Sequence, residues 1–280
     1  MAQLALRLPE NVPGDFFVDS TCIDCDACRV FAPTVFSDAG DQSFVFHQPE
    51  SAEELLAAQK ALISCPTSSI GSATGARAAI DALPALIARD VYRCGYAAES
   101  SFGAISYYLR GPRILIDSPR FAGPLVKRLD GVRRMLLTHQ DDIADHAKFR
   151  EHFGCERVLH RDDARGRVFE QMPEGEDPID LGDEILMIPT PGHTKGHAVF
   201  LYRNEFLFAG DHLAWSESRG HLYAFRSACW YSWSEQIRSM ERLLDYRFEW
   251  VLPGHGRPIH LPADSMRRSL ESCVQWMRGK

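Results

Sequence analysis

The sequence predicts two domains of different class: a small acidic α+β module, then a larger layered α/β domain, in 280 residues. Three observations predict it. The formal charge of -7 arises within residues 1–75, which hold ten acidic and three basic residues, while the remainder is balanced. Three cysteines crowd into seven residues of that stretch (Cys22, Cys25 and Cys28), and Cys65 follows before a proline. From residue 90 onward short apolar runs alternate with stretches of helical period, the pattern of strands and helices packed in layers. A composition 45% apolar and 25% charged excludes disordered, collagen-like and coiled-coil chains. No apolar run reaches the ~20 residues of a membrane helix, and the charge is wrong for a nucleic-acid partner. The first residues lack the basic-then-apolar shape of a secretory signal, so the expected location is the cytoplasm, away from membranes.

In the first module, residues 16–18 read as a short strand and 43–47 as a second after the Gly40-Asp41 turn. Ser51 with Glu54 three residues on is a capping-box signature. Leu55, Leu56, Leu62 and Ile63 follow at helical spacing up to Cys65-Pro66. Residues 1–75 form this module, 76–89 a linker with a short helix, and 90–280 the second domain. Its strand-like runs are 105–109, 114–116, 135–137, 157–160, 185–188, 199–202, 206–208 and 250–252. Its helical stretches are 121–130, 145–153, 234–246 and 263–278.

The spacing Cys22-x2-Cys25-x2-Cys28 wraps the backbone around one face of a cuboidal cluster, and Cys65 closes the cage from elsewhere. Four thiolates are what a single [4Fe-4S] cluster takes. Zinc, the alternative, more often uses two separated Cys-x2-Cys arms, and this crowding disfavours disulfides. The run CIDCDACRVFAPTVFS and the segment SCPTSSI resemble the cluster loop and fourth-ligand segment of single-cluster bacterial ferredoxins. The resemblance implies a ferredoxin-like domain whose Cys22, Cys25, Cys28 and Cys65 bind a [4Fe-4S] cluster, or a three-iron one if a ligand is lost. It also implies an acidic face for a redox partner protein.

Four further segments place histidines and aspartates directly after apolar runs, beside glycine or proline. They are Thr138-His139-Gln140-Asp141-Asp142-Ile143-Ala144-Asp145-His146, Pro191-Gly192-His193-Thr194-Lys195-Gly196-His197, Gly210-Asp211-His212 and Pro253-Gly254-His255-Gly256. Loops leaving one sheet edge can converge such groups, and imidazoles with carboxylates suit zinc, iron or manganese. Together these segments resemble the metallo-β-lactamase superfamily, glyoxalase II among its hydrolase branches. The resemblance implies a four-layer αββα sandwich with two divalent ions at one edge. His139, Asp141 and His193 would hold one ion, Asp145, His146 and His255 the other, and Asp211 would bridge them.

The first motif departs from the family's His-x-His-x-Asp-His. A carboxylate stands for the second histidine, with both Asp141 and Asp142 open for that position, and two extra residues precede Asp145-His146. That pair is retained because the gapless alternatives, Ile143 and Ala144, cannot bind a metal. His197, His212 and Asp117 are read as groups supporting the ligands from behind. Trp215, Trp230, Trp233 and Tyr223 are read as a substrate wall or as core.

The chemistry implied first is metal-assisted hydrolysis of a small molecule, a thioester for example, with Asp145 orienting a metal-bound hydroxide as well as binding. No GxSxG nucleophile motif is present. The carboxylate at the second position and the iron–sulfur module point instead to a diiron oxidoreductase resembling the flavodiiron proteins, which reduce dioxygen or nitric oxide. A non-enzymatic redox sensor is the third reading. The metals are expected to be zinc in the first case and iron in the second, while the sensor has a degenerate metal site; the carboxylate at the second position favours iron or manganese.

Overall fold

The computed structural model of the chain describes residues 2–280. In the N-terminal module, strand Phe17–Val18 pairs antiparallel with Ile70–Gly71, and Phe36–Asp38 forms a hairpin with Ser43–Val45. Helices Ala27–Phe31 and Ala52–Ser64 pack beside them. The longer helix starts where its capping box requires: the Glu54 N–H donates to the Ser51 hydroxyl, and the Ser51 N–H donates back to the Glu54 carboxylate, a motif contributing about 1 kcal/mol. Phe16, Val18, Val35, Phe36, Val45, Ala58, Ala61 and Ile70 make the core. Asn11 crosses it, donating to the carbonyls of Leu8 and Val18 and accepting from the N–H groups of Val18 and Val45, so its buried amide is fully satisfied.

The second domain is built on two six-stranded sheets. The first runs in the order Glu156–Val158, Arg134–Leu136, Ile114–Ile116, Tyr107–Leu109, Val91–Arg93, Ala85–Ala88. The second runs Ile179–Asp180, Ile185–Pro189, Ala198–Tyr202, Phe206–Gly210, Trp250–Pro253, Ile259–His260. The central strands are apolar throughout because both faces are buried. Ala198, Phe200, Tyr202, Phe206 and Phe208 point at the other sheet. Val199, Leu201, Leu207 and Ala209 point at helices Trp233–Arg242 and Ala263–Arg278. Leu115, Met135 and Leu137 face helices Gly123–Val126 and His146–Phe153 on the far side. This two-residue alternation produces the four αββα layers.

The sheet begins earlier than the sequence suggests. Strand Ala85–Ala88 lies inside the stretch read as linker and pairs with Val91–Arg93. As an edge strand with Leu86 exposed, it lacks the continuous apolar signature of the inner strands. The two domains share packing. Phe31 and Ile63 of the first pack with Leu83, Tyr96 and Phe149 of the second. The Arg93 guanidinium lies over the Phe31 ring at 5.0 Å, and the Ala97 N–H and the Arg120 guanidinium donate to the carbonyls of Ser64 and Ile63. No helix of the described residues is long and apolar enough to cross a membrane.

Candidate functional site

Cys22, Cys25, Cys28 and Cys65 line one small cavity with Val18, Ser43, Ser69 and Ile70. Asp24 and Asp26 adopt left-handed backbone between the cysteines, and Arg29 ties this loop down through both carboxylates. The N–H groups of Asp24 and Ser69 point at the sulfurs of Cys22 and Cys65, at 3.5 and 3.3 Å. Burial pushes the Cys25 thiol up to about 12 and Cys28 higher still, and a bound cation would favour the thiolates instead. Four cysteines around one cavity supply the four thiolates that a single [4Fe-4S] cluster takes.

At the rim of the sandwich, strands Arg134–Leu136, Ile185–Pro189, Phe206–Gly210 and Trp250–Pro253 deliver His139, His193, Asp211 and His255 to one place. The His139 Nε2 lies 4.0 Å from an Asp141 oxygen, 4.0 Å from Asp142 and 3.7 Å from Asp211. The His193 Nε2 lies 3.7 Å from Asp141 and 3.8 Å from Asp211. These separations are too long for hydrogen bonds and are those of ligands sharing a cation at ~2.1 Å. His139 Nε2, both oxygens of Asp142 and both ring nitrogens of His193 are buried without a partner, a costly state unless a metal satisfies them. His139, Asp141 and His193 could hold one ion, and His139, Asp142 and Asp211 converge equally closely. His255 joins the second group through Nδ1, 2.8 Å from Asp211. Gly254 permits this crowding, since a Cβ there would stand 2.7 Å from an Asp142 oxygen and 3.0 Å from Asp211.

The crowding of imidazoles and carboxylates shapes the electrostatics. Burial pushes Asp142 well above the carboxylate range, and the Asp211 charge adds to it. Burial also acts to raise Asp211, but the neighbouring His255 imidazole overcomes it and holds the carboxyl low. His255 is correspondingly pushed up to about 10, against burial, by the Asp211 charge and hydrogen bond. Burial lowers His139 to about 4 and His212 to about 3, leaving the neutral imidazoles that metals bind.

Behind the ligands, Thr138 donates to Asp117 from its N–H at 2.7 Å and from its hydroxyl at 3.0 Å. Its oxygen stands 3.0 Å from His139 Nδ1, which puts the proton on Nδ1 and turns Nε2 toward the carboxylates. His197 packs between the rings of His139 and His212, centroids 5.2 and 5.5 Å away, and its Nδ1 meets the Thr190 hydroxyl at 2.9 Å. Sequence reasoning missed Asp163. Fully buried, it accepts from the N–H groups of Gln140 and Gly196 and from the Thr194 hydroxyl, fastening the His139 loop to the His193 loop. Its only signal is that it follows strand Glu156–Val158.

Asp145 and His146 correct the sequence expectation, for they do not join this cluster. Asp145 accepts from the Phe121 N–H and pairs with Lys148, both at 2.8 Å. His146 lies against the Phe169 ring and accepts from Arg157 at 3.0 Å. Ile143 packs into the outer core with Phe149, and the turn this demands carries residues 145 and 146 away into helix His146–Phe153. Asp142, whose position was left open, stands at the rim beside Asp141. Of the four aromatics considered as a wall, Trp230 and Tyr223 line the cleft over the rim, whereas Trp215 and Trp233 pack against the core.

That cleft, about 800 Å³, is lined by Asp141, Asp142, His193, Asp211 and His255 and also by Cys25. The two sites meet at one turn. Gly103 packs so tightly on Cys25 that a Cβ would stand 2.6 Å from its sulfur, and the carbonyl of Phe102 accepts from His255 Nε2 at 3.2 Å.

Residues 18–72 match the family model of the 4Fe-4S single cluster domain of Ferredoxin I. A metallo-β-lactamase from Pontibacter korlensis aligns with a TM-score of 0.50 at 16% identity, over 70% of this chain and 98% of that one. The second domain has the metallo-β-lactamase fold. The uncharacterized protein YobT of Bacillus subtilis (strain 168) is 34% identical over 99 residues, 32% of this chain and 41% of that protein. The β-lactamase-like protein 2 homolog of Drosophila melanogaster is 30% identical over 81 residues, 29% of this chain and 25% of that protein. The matched stretches thus span less than half the length of either relative. The imidazoles and carboxylates of the metallo-β-lactamase-fold domain fit a metal centre, and the cysteine cage fits the cluster that the family model describes.

Proposed function

We propose that the protein is a metal-dependent oxidoreductase whose rim metals act on a small molecule in the cleft that the iron–sulfur module helps to wall. One observation carries this reading: Cys25 lines the same cleft as Asp141, Asp142, His193, Asp211 and His255. A cage serving stability alone has no need to border the working site. The donor set agrees, since three imidazoles and three carboxylates make a hard, anionic site that suits iron or manganese. When bound, the cluster supplies electrons singly, and the rim ions supply Lewis acidity and, as iron, a redox couple.

The chain's own residues set the geometry. His139, Asp141 and His193 would hold one ion, and Asp142 and His255 the other, with Asp211 shared between them. Asp117 acts through Thr138 to fix the His139 ring, and Asp163 keeps the two ligand loops in register. The buried His197 and His212 wall the ions from water on the sandwich side. The acidic face of the first module meets the protein that donates electrons.

Anaerobic purification followed by metal analysis tests the proposal. About six irons per chain are expected, four of them in the cluster. His193→Ala should retain the four and lose the others. Two zincs at the rim, with thioester hydrolysis that runs equally fast whether the cluster is oxidised or reduced, would overturn it in favour of a hydrolase.

A further inference from the structure

The cleft has an aromatic mouth and one charge without a partner. Phe102 is 55% exposed and Trp230 66% exposed, an arrangement that leaves large apolar surface in water. Each lies by a different rim imidazole: the Phe102 ring is 6.1 Å from that of His255, and the Trp230 ring 6.2 Å from that of His193. Phe225, edge-on to Tyr223 at 4.8 Å, lines the same cleft. Two arginines line it. Arg29 is engaged by Asp24 and Asp26. Arg257, half-buried and two residues beyond His255, has no carboxylate within 4.0 Å among the described residues. The other acids of the cleft are either held by Arg29 or belong to the metal centre, so Arg257 is the fixed positive charge left to meet a ligand.

We infer that the cleft binds a small organic acid. Its flat apolar body lies between Phe102 and Trp230, and its anionic group pairs with the Arg257 guanidinium, the side chain best shaped to take a carboxylate through two parallel hydrogen bonds. A cleft of about 800 Å³ is within the range of small-molecule sites. Arg257 is thus a specificity-determining residue, and the two aromatics align the body so that the rest of the molecule faces the rim. This inference rests on reading the cleft as the working site, and it is independent of whether electrons or water act there.

Calorimetric titration of the metal-loaded, cluster-containing protein with phenylacetate and its neutral isostere phenylacetamide tests it. Phenylacetate should bind at least tenfold more tightly. Arg257→Gln should abolish that preference, and Arg257→Lys should restore part of it. Trp230→Ala should weaken both compounds alike. Trp230 is exposed and Arg257 half-buried, and an unchanged unfolding midpoint would verify that each variant folds. Equal binding of acid and amide by the wild type would overturn the inference. So would an acid preference that survives in Arg257→Gln, because the anion would then be held by the rim metals. Rim zinc with hydrolytic activity would remove the oxidoreductase proposal while leaving the acid preference intact.

Discussion

Asp142 and Asp145 are three residues apart and have opposite surroundings. Asp142 is 1% exposed with both oxygens unpartnered, whereas Asp145 spends its oxygens on Phe121 and Lys148. Asp142→Ala should therefore lose most of the rim metal with the cluster iron retained. Asp145→Ala should keep the rim metal and lower stability by about 1.5 kcal/mol, the low end for a hydrogen bond to a charged group because the site is partly exposed. Metal analysis and urea unfolding of the two variants separate the cases. His146 gives a pH test. Burial, with Arg157 beside it, lowers the ring to about 4, so the folded chain keeps it neutral while the unfolded chain takes a proton below 6.5. The ring's contribution to stability should be constant above pH 6.5 and be lost as the pH drops toward 4, by on the order of 1 kcal/mol near pH 5 after solvent screening. His146→Asn should lessen the acid slope of the urea midpoints by that amount, while the buried His139 and His212 keep their share. His139, His193, Asp211 and His255 were legible because each follows an apolar strand beside threonine, glycine or proline. Asp142 was legible only as an alternative to Asp141, because spacing alone does not say that Ile143 packs into the outer core and that Asp145 and His146 leave the rim.

At the scale of elements, the turn after the short helix Glu99–Ser101 is a tight joint between the cysteine loop and the rim. Gly103 has φ +85°, and a side chain there would meet the Cys25 sulfur at 2.6 Å. Gly103→Ala should cost ~2 kcal/mol from backbone strain and displacement of the cysteine loop together. It should also reduce cluster content, read as iron and acid-labile sulfide per chain. The inner strands of both sheets could be read from their continuous apolar runs, and helix Ala52–Ser64 from its capping box. The edge strand Ala85–Ala88 could not, because only one of its sides is paired and Leu86 faces solvent. The turn itself gave no motif: its role comes from touching Cys25 and His255, residues far away in sequence.

For the whole molecule, the packing of Phe31 and Ile63 against the outer core that contains Leu83 and Tyr96 should make the two domains unfold as one cooperative body. Thermal unfolding of the loaded protein should show a single transition, coincident in cluster absorbance and far-ultraviolet dichroism. Phe31→Ala, which removes both this packing and the Arg93 contact, should lower the midpoint of the whole transition by roughly 2–4 kcal/mol equivalent. Two separate transitions would show that the junction is only a tether. The acidic first quarter and the balanced remainder predicted two folds correctly, but charge carries no information on how firmly they join.

The peptide joining Phe102 to Gly103 leans on a cage sulfur with one end and grips a rim imidazole with the other. Free-energy reciprocity then fixes a quantitative bond between two quantities measured by different instruments. If filling the rim makes the cage tenfold more willing to accept an electron, an electron in the cage makes the rim tenfold more retentive of its ions. Ion supply and reducing power would in that case be weighed against each other inside one chain.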